Sequence, residues 1–122
     1  MKVQESAEDY LETIYMLREE QGVVRAIDIV HRMAFSKPSV SRAMGLLREN
    51  GHITTDRDGS ISLTPAGETI AARICERHRL MTRWLVSLGV TPETAGEDAC
   101  RIEHDVSEET FQKMKEHILR EL

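Results

Sequence analysis

Only two cysteines, Cys75 and Cys100, occur in 122 residues, too few for a disulfide framework. A thiol in such a chain is read as a core residue or as a ligand. No apolar run approaches the roughly 20 residues that span a bilayer. The start, Met1-Lys2-Val3-Gln4-Glu5, lacks the apolar stretch of a signal peptide. Neither a membrane partner nor export is expected, which leaves the cytoplasm as the expected compartment. Internal repeats and low-complexity linkers are also missing. What remains is an ordinary soluble composition, 40% hydrophobic and 30% charged. The length suits one compact domain or two small ones sharing a core.

Excess positive charge is lacking too. The net charge of −5 argues at first against a nucleic-acid partner, but its distribution reverses that argument. Residues 1–24 sum to −4, and residues 92–122 to −5. Residues 25–57 sum to +3, with Arg25, Arg32, Lys37, Arg42, Arg48 and Arg57 against three acids. The local field is what meets a phosphate backbone, because distant charges are screened. A basic middle between acidic ends suits a DNA reader joined to something that collects cations. A set of solvated helix faces accounts for the same numbers.

Periodicity predicts helices over most of the chain. Tyr10, Leu11, Ile14 and Leu17 recur at helical spacing in residues 6–20, with Ser6 as a candidate N-cap. Residues 26–33 form a short second helix with Ile27, Val30 and Met33 inward. After the turn Ala34-Phe35-Ser36, Ser36 caps a third helix from Lys37 to Asn50, lined by Val40, Ala43, Met44 and Leu47. Two alternating stretches, 52–56 and 60–63, flank Asp58-Gly59 and predict a β-hairpin. Thr64-Pro65 opens a long helix ended by Gly89. Thr91-Pro92 and Ser107-Glu108 open two more.

Helix, short helix, turn, helix and hairpin in that order describe a winged helix-turn-helix. The expected class is therefore mainly α: an N-terminal winged helix-turn-helix over 1–64, then a helical part over 65–122. The third helix is slender enough for the major groove and presents Ser36, Lys37, Pro38, Ser39, Ser41 and Arg42 near its start. Arg42 is the candidate base reader. Arg57, at the hairpin tip, is placed to reach the backbone or the minor groove. A merely solvated hydroxyl-rich face remains the alternative.

Cys100, Glu103 and His104 lie at i, i+3 and i+4 and so share a helix face. Thiolate, carboxylate and imidazole together make a metal-ligand set. Asp9 and Glu12 are spaced at i, i+3 in the first helix, and His78 sits in the long connecting one. Each has a plainer reading. The two acids suit the dipole of a first turn. His78, between Arg77 and Arg79, reads as a surface residue, and Cys100 as a small buried hydrophobe. The neighbours of Cys75 point to core.

The chain resembles the diphtheria toxin repressor family of metal-dependent regulators. The matching stretches are Glu8-Asp9-Tyr10-Leu11-Glu12-Thr13-Ile14-Tyr15, Leu63-Thr64-Pro65-Ala66-Gly67, Arg77-His78-Arg79-Leu80 and Asp98-Ala99-Cys100-Arg101-Ile102-Glu103-His104. The resemblance implies a winged-helix domain, a helical dimerisation domain, metal bound between them, and a loaded homodimer on double-stranded operator DNA. Some members carry a further C-terminal domain that this length does not accommodate, as in the shorter manganese-responsive branch. Asp9, Glu12, His78, Glu103 and His104 match that branch's ligand positions. Cys100 does not: the manganese branch has glutamate there and the iron branch cysteine. The iron branch in turn has methionine in place of Asp9, and an acid and a histidine in place of Thr82 and Gly96. The implied cofactor is Mn(II) or Fe(II), one or two ions per subunit. Hard oxygen donors suit manganese, and a thiolate pulls preference toward later metals.

The expectation is a cytoplasmic homodimeric repressor of metal-uptake genes and not an enzyme. Ile102, Val106, Phe111, Met114, Ile118 and Leu119, with Trp84 and Leu85, are the expected apolar interface. One rival is a winged-helix regulator that senses oxidation or a small molecule through Cys100 without metal. The other is a metal-dependent hydrolase, disfavoured because no nucleophile or base stands apart from the ligands and no α/β scaffold is present.

Overall fold

The computed structural model describes residues 5–122; Met1–Gln4, part of the stretch read against a signal peptide, lie outside the described residues. The elements are α1 (Glu5–Gln21), α2 (Ala26–Met33), α3 (Lys37–Glu49), β1 (Ile53–Thr55), β2 (Ile61–Leu63), α4 (Pro65–Ser87), α5 (Pro92–Asp105) and α6 (Glu108–Glu121). They form two compact units, Met1–Arg73 and Ile74–Leu122, and the boundary falls within α4. No described helix is long and apolar enough to cross a membrane.

In the first unit, α1 buries Tyr10, Leu11, Ile14 and Leu17, as its periodicity predicts. Ser6 does not cap this helix, because the helix already includes Glu5. In α2 the inward residue is Ile29, fully buried, whereas Ile27, expected inside, is 40% exposed. Four large apolar residues, Ile27, Ile29, Val30 and Met33, on an eight-residue helix leave the inner face ambiguous. A left-handed Ala34 (φ 56°) closes α2. Ser36 then caps α3, its hydroxyl accepting from the Ser39 N–H at 3.2 Å, a contact worth about 1 kcal/mol. Val40, Met44 and Leu47 turn inward, and Ala43 packs against them. Each large apolar side chain so buried contributes about 1.5–3 kcal/mol.

The hairpin pairs Ile53 with Leu63, Thr54 with Ser62 and Thr55 with Ile61. Period two sends Ile53 and Ile61 into the core. Val24 adds an isolated bridge to Ile61, whose N–H donates to the Val24 carbonyl at 2.8 Å. The entry to α4 docks tightly on the turn that follows α3. The Thr64 N–H donates to the His52 carbonyl at 3.0 Å. The Thr64 hydroxyl donates to the Gly51 carbonyl at 2.6 Å and accepts from the Gly67 N–H at 3.1 Å. Gly67 is required there, since a Cβ on it would stand 2.0 Å from the His52 oxygen. Arg18 grips Glu68 with both guanidinium nitrogens, at 2.5 and 2.6 Å.

In the second unit, Leu80, Met81, Ala99, Phe111 and Ile118 make a small core, flanked by Trp84, Ile102, Val106 and Met114. Phe111 and Ile118, expected on an exposed stripe, are thus internal: with three helical segments to join, the unit uses them to hold itself together. Leu119, Leu88, Val86 and Leu122 are the large apolar residues this unit leaves exposed. Thr91 caps α5 and Ser107 caps α6, each through its hydroxyl.

Candidate metal centre and nucleic-acid interface

The metal candidates of the second unit come together around Glu103. Glu103 is 1% exposed. Its Oε2 lies 2.9 Å from His78 Nδ1, brought in by α4. Its Oε1 lies 3.4 Å from Nε2 of His104, the next residue on α5, whose side chain is also buried. Donor atoms of Cys100, Glu103 and His104 all lie within 4.8 Å of one another. The i, i+3, i+4 spacing accounts for this convergence. Burying a carboxylate is costly unless positive charge or hydrogen bonds answer it. Cys100, Glu103 and His104 thus offer a thiol, a carboxylate and an imidazole that fit a divalent transition-metal ion, and His78 meets the other oxygen of the same Glu103 carboxyl. Cys75 is buried, as its neighbours suggest. Asp9 and Glu12 belong to the first unit, one turn apart on α1, Glu12 buried and Asp9 half-buried.

A residue that pattern reading passed over fixes this centre. Arg77, 6% exposed, donates from one nitrogen to the carbonyls of Glu103 (3.0 Å) and Val106 (2.6 Å). Its other terminal nitrogen donates to Glu108 Oε2 at 2.8 Å, and its guanidinium lies 5.0 Å from the Phe111 ring centre. It thereby closes the carbonyl end of α5 and holds the backbone of Glu103. Nothing in the local sequence marks it out from Arg79; its partners lie 26 to 31 residues further on. Glu8, in the first turn of α1, is also buried and is paired with Arg73 at 3.4 Å.

On the first unit, Ser36, Lys37, Pro38, Ser41 and Arg42 are exposed around the start of α3, and Ser39 is half-buried. Ser36 and Ser39 are partly occupied with each other: the Ser36 hydroxyl donates to the Ser39 hydroxyl at 2.8 Å, and Arg42 reaches Ser39 at 3.5 Å. Arg57 is exposed in the turn between the strands. That turn is braced. Asp58 accepts from the Ser60 N–H at 3.1 Å and from its hydroxyl, and Arg25 meets Asp58 at 3.3 Å. Hydrogen bonds from Ser60, with the Arg25 charge, hold the Asp58 carboxyl below the usual carboxylate range. Arg48 ties α3 to β1 through the Thr55 hydroxyl at 3.1 Å. An open groove of about 480 Å³ runs between α2, α3 and the hairpin, with Lys37, Ser41, Arg48 and Thr55 along it.

A winged-helix unit followed by a helical unit with a thiol, carboxylate and imidazole cluster defines a metal-responsive DNA-binding protein. Residues 2–61 match the family described as "Iron dependent repressor, N-terminal DNA binding domain". Residues 64–120 match "Iron dependent repressor, metal binding and dimerisation domain". The chain belongs to the iron dependent repressor family, a family of transcriptional regulators and not of enzymes. It is 38% identical over 107 residues to the transcriptional regulator MntR of Salmonella typhimurium, covering 88% of this chain and 68% of that one. It is 32% identical over 111 residues to the diphtheria toxin repressor of Corynebacterium diphtheriae, covering 90% and 49%. Among solved structures, the manganese regulator SloR superposes with a TM-score of 0.81 at 28% identity, covering 97% of this chain and 54% of that one. The chain thus spans about two thirds of the Salmonella relative and just over half of the solved chain.

Proposed function

We propose that the protein is a metal-dependent transcriptional repressor: a cytoplasmic homodimer that binds double-stranded operator DNA when loaded with Mn(II) or Fe(II) and controls metal-uptake genes. Residues 1–64 read DNA, through Ser36, Lys37, Pro38, Ser39, Ser41 and Arg42 on α3 and Arg57 on the wing. Residues 65–122 dimerise and carry most of the metal donors. The donor set read from the sequence is Asp9, Glu12, His78, Cys100, Glu103 and His104. The observation that carries this reading is the buried Glu103 carboxyl with His78 and His104 on its two oxygens and Cys100 one turn away. The similarity to the manganese regulator SloR supports manganese, and the match to the iron dependent repressor family supports iron.

A bound divalent ion supplies positive charge and a cross-link among its donors. The chain's own residues do the rest. Glu103 and His104 are oriented by the backbone that Arg77 holds, and His78 is presented by α4. Donors drawn from segments before and after the reading helix make loading a restraint on how the two reading heads of a dimer are spaced. Operator half-sites lie about one helical turn apart or a multiple of it, so only some spacings let both heads dock. Binding curves on operator DNA with Mn(II), Fe(II) or chelator test this. Affinity raised by either ion about 5–150-fold over chelator, the usual size of such coupling, is expected. Equal affinity under all conditions contradicts it and favours the metal-free oxidation or small-molecule sensor.

A further inference from the structure

We propose that Gly45 and Leu46 form a second reading point on α3, which takes the 5-methyl group of a thymine in the major groove. The inference rests on α3 being the DNA-facing helix. Gly45 sits inside this 13-residue helix, where glycine weakens helix formation about three- to fivefold relative to alanine. The fold itself gives no return for that cost. The glycines at 22, 51, 59 and 89 adopt positive φ, and Gly67 answers a close backbone approach; Gly45 does neither, nor does Gly96 in α5, but of these two only Gly45 lies on the helix read as facing DNA. A Cβ built on it meets nothing within 4 Å. The room it leaves lies outside the chain, on the face that also carries Pro38, Ser41 and Arg42 at seven, four and three residues before it, all exposed.

Leu46 follows it, four residues after Arg42, and is 60% exposed. A leucine exposed by itself is ordinary. This one stands on the reading face beside a glycine with no role inside the chain. It cannot pair with phosphate or with a hydrogen-bonding base edge. The apolar feature of the major groove is the thymine methyl. With no side chain at 45, the helix backbone can approach the groove until Leu46 meets that methyl, while the net charge of +3 over residues 25–57 draws the phosphates in.

The test uses the full chain, metal-loaded, on a duplex recovered from it by binding-site selection. Each thymine is replaced in turn by deoxyuracil, which removes only the methyl. At one thymine per half-site, replacement is expected to weaken the parent about fourfold, the worth of one buried methyl group, and to leave Leu46→Ala unaffected. Gly45→Ala is expected to melt about 4 °C higher yet bind the duplex roughly tenfold more weakly, through crowding at the groove. Identical uracil profiles for parent and Leu46→Ala overturn the proposal, as does a Gly45→Ala protein that binds like the parent. If selection recovers no duplex at all, the DNA-binding function itself fails, and that result is distinct from the other two.

Discussion

Gly67→Ala offers a sharp test of how the reading unit is joined to α4. The added Cβ would stand 2.0 Å from the His52 carbonyl oxygen and 3.0 Å from its carbon. Ordinary contact needs more than 3 Å, so one backbone must move by over an ångström. Neither side is free to yield. The His52 oxygen accepts the Thr64 N–H, and the Gly67 N–H is held by the Thr64 hydroxyl, which is itself anchored on Gly51. Overpacking of this kind costs about 1–3 kcal/mol, and losing one of these hydrogen bonds adds about 1 kcal/mol. A total of about 2–4 kcal/mol is a large share of the stability of a small domain. Urea denaturation at fixed protein concentration, followed by far-ultraviolet circular dichroism, reads it as a lower midpoint. Ala34→Gly is the internal contrast. There the left-handed φ of 56° favours glycine, so the midpoint should stay level or rise slightly. A Gly67→Ala midpoint equal to the parent's would refute the account of this junction.

Other outcomes follow from the same geometry. Arg42→Ala should weaken operator binding by about 1–3 kcal/mol and relax base preference at one position in a selection experiment. Arg57→Ala should weaken all sequences alike and reduce the salt slope by about one; a sequence-dependent loss would mean that it reads bases. Cys100→Glu should shift activation toward Mn(II) relative to Fe(II) in anaerobic binding curves, and an unchanged metal ranking would remove Cys100 from the selecting donors. Glu68 is held below its usual range mainly by hydrogen bonds from Arg18. Its folded pKa is depressed, so the pair stabilises above the carboxylate range and that contribution is lost as pH falls through it. With both side chains about 40% exposed, the contribution is at most about 1 kcal/mol. Glu68→Gln should therefore melt below the parent at neutral pH and converge with it as pH falls below the usual carboxylate range; a constant gap would exclude the linkage.

Much of the architecture is legible in the residues themselves. Caps at Ser36, Thr91 and Ser107, Pro following two of them, and Asp58-Gly59 between alternating stretches are local signals, and each marks a real boundary. What pattern reading misassigned depends on partners far along the chain. Ile29 rather than Ile27 faces inward because the packing of the other elements, not the short helix, decides its orientation. Phe111 and Ile118 look like interface residues until the small size of the second unit's core is known. Arg77 looks like any surface arginine, yet it caps α5 from a different helix. The i, i+3, i+4 spacing brought out Cys100, Glu103 and His104, whereas the proximity of His78 to Glu103 needs the packing of α4 on α5.

In the proposed mechanism, Glu103 and His104 hold an ion whose loading turns on DNA binding. The most direct measurement compares parent and His104→Ala in Mn(II) and Fe(II) titrations on a fluorescent operator duplex, with sedimentation and circular dichroism confirming that the variant remains a folded dimer. The parent should gain affinity on loading and lose it to chelator, while His104→Ala stays at the parent's chelated affinity throughout. A folded His104→Ala dimer whose DNA affinity rises with metal as the parent's does would contradict the account.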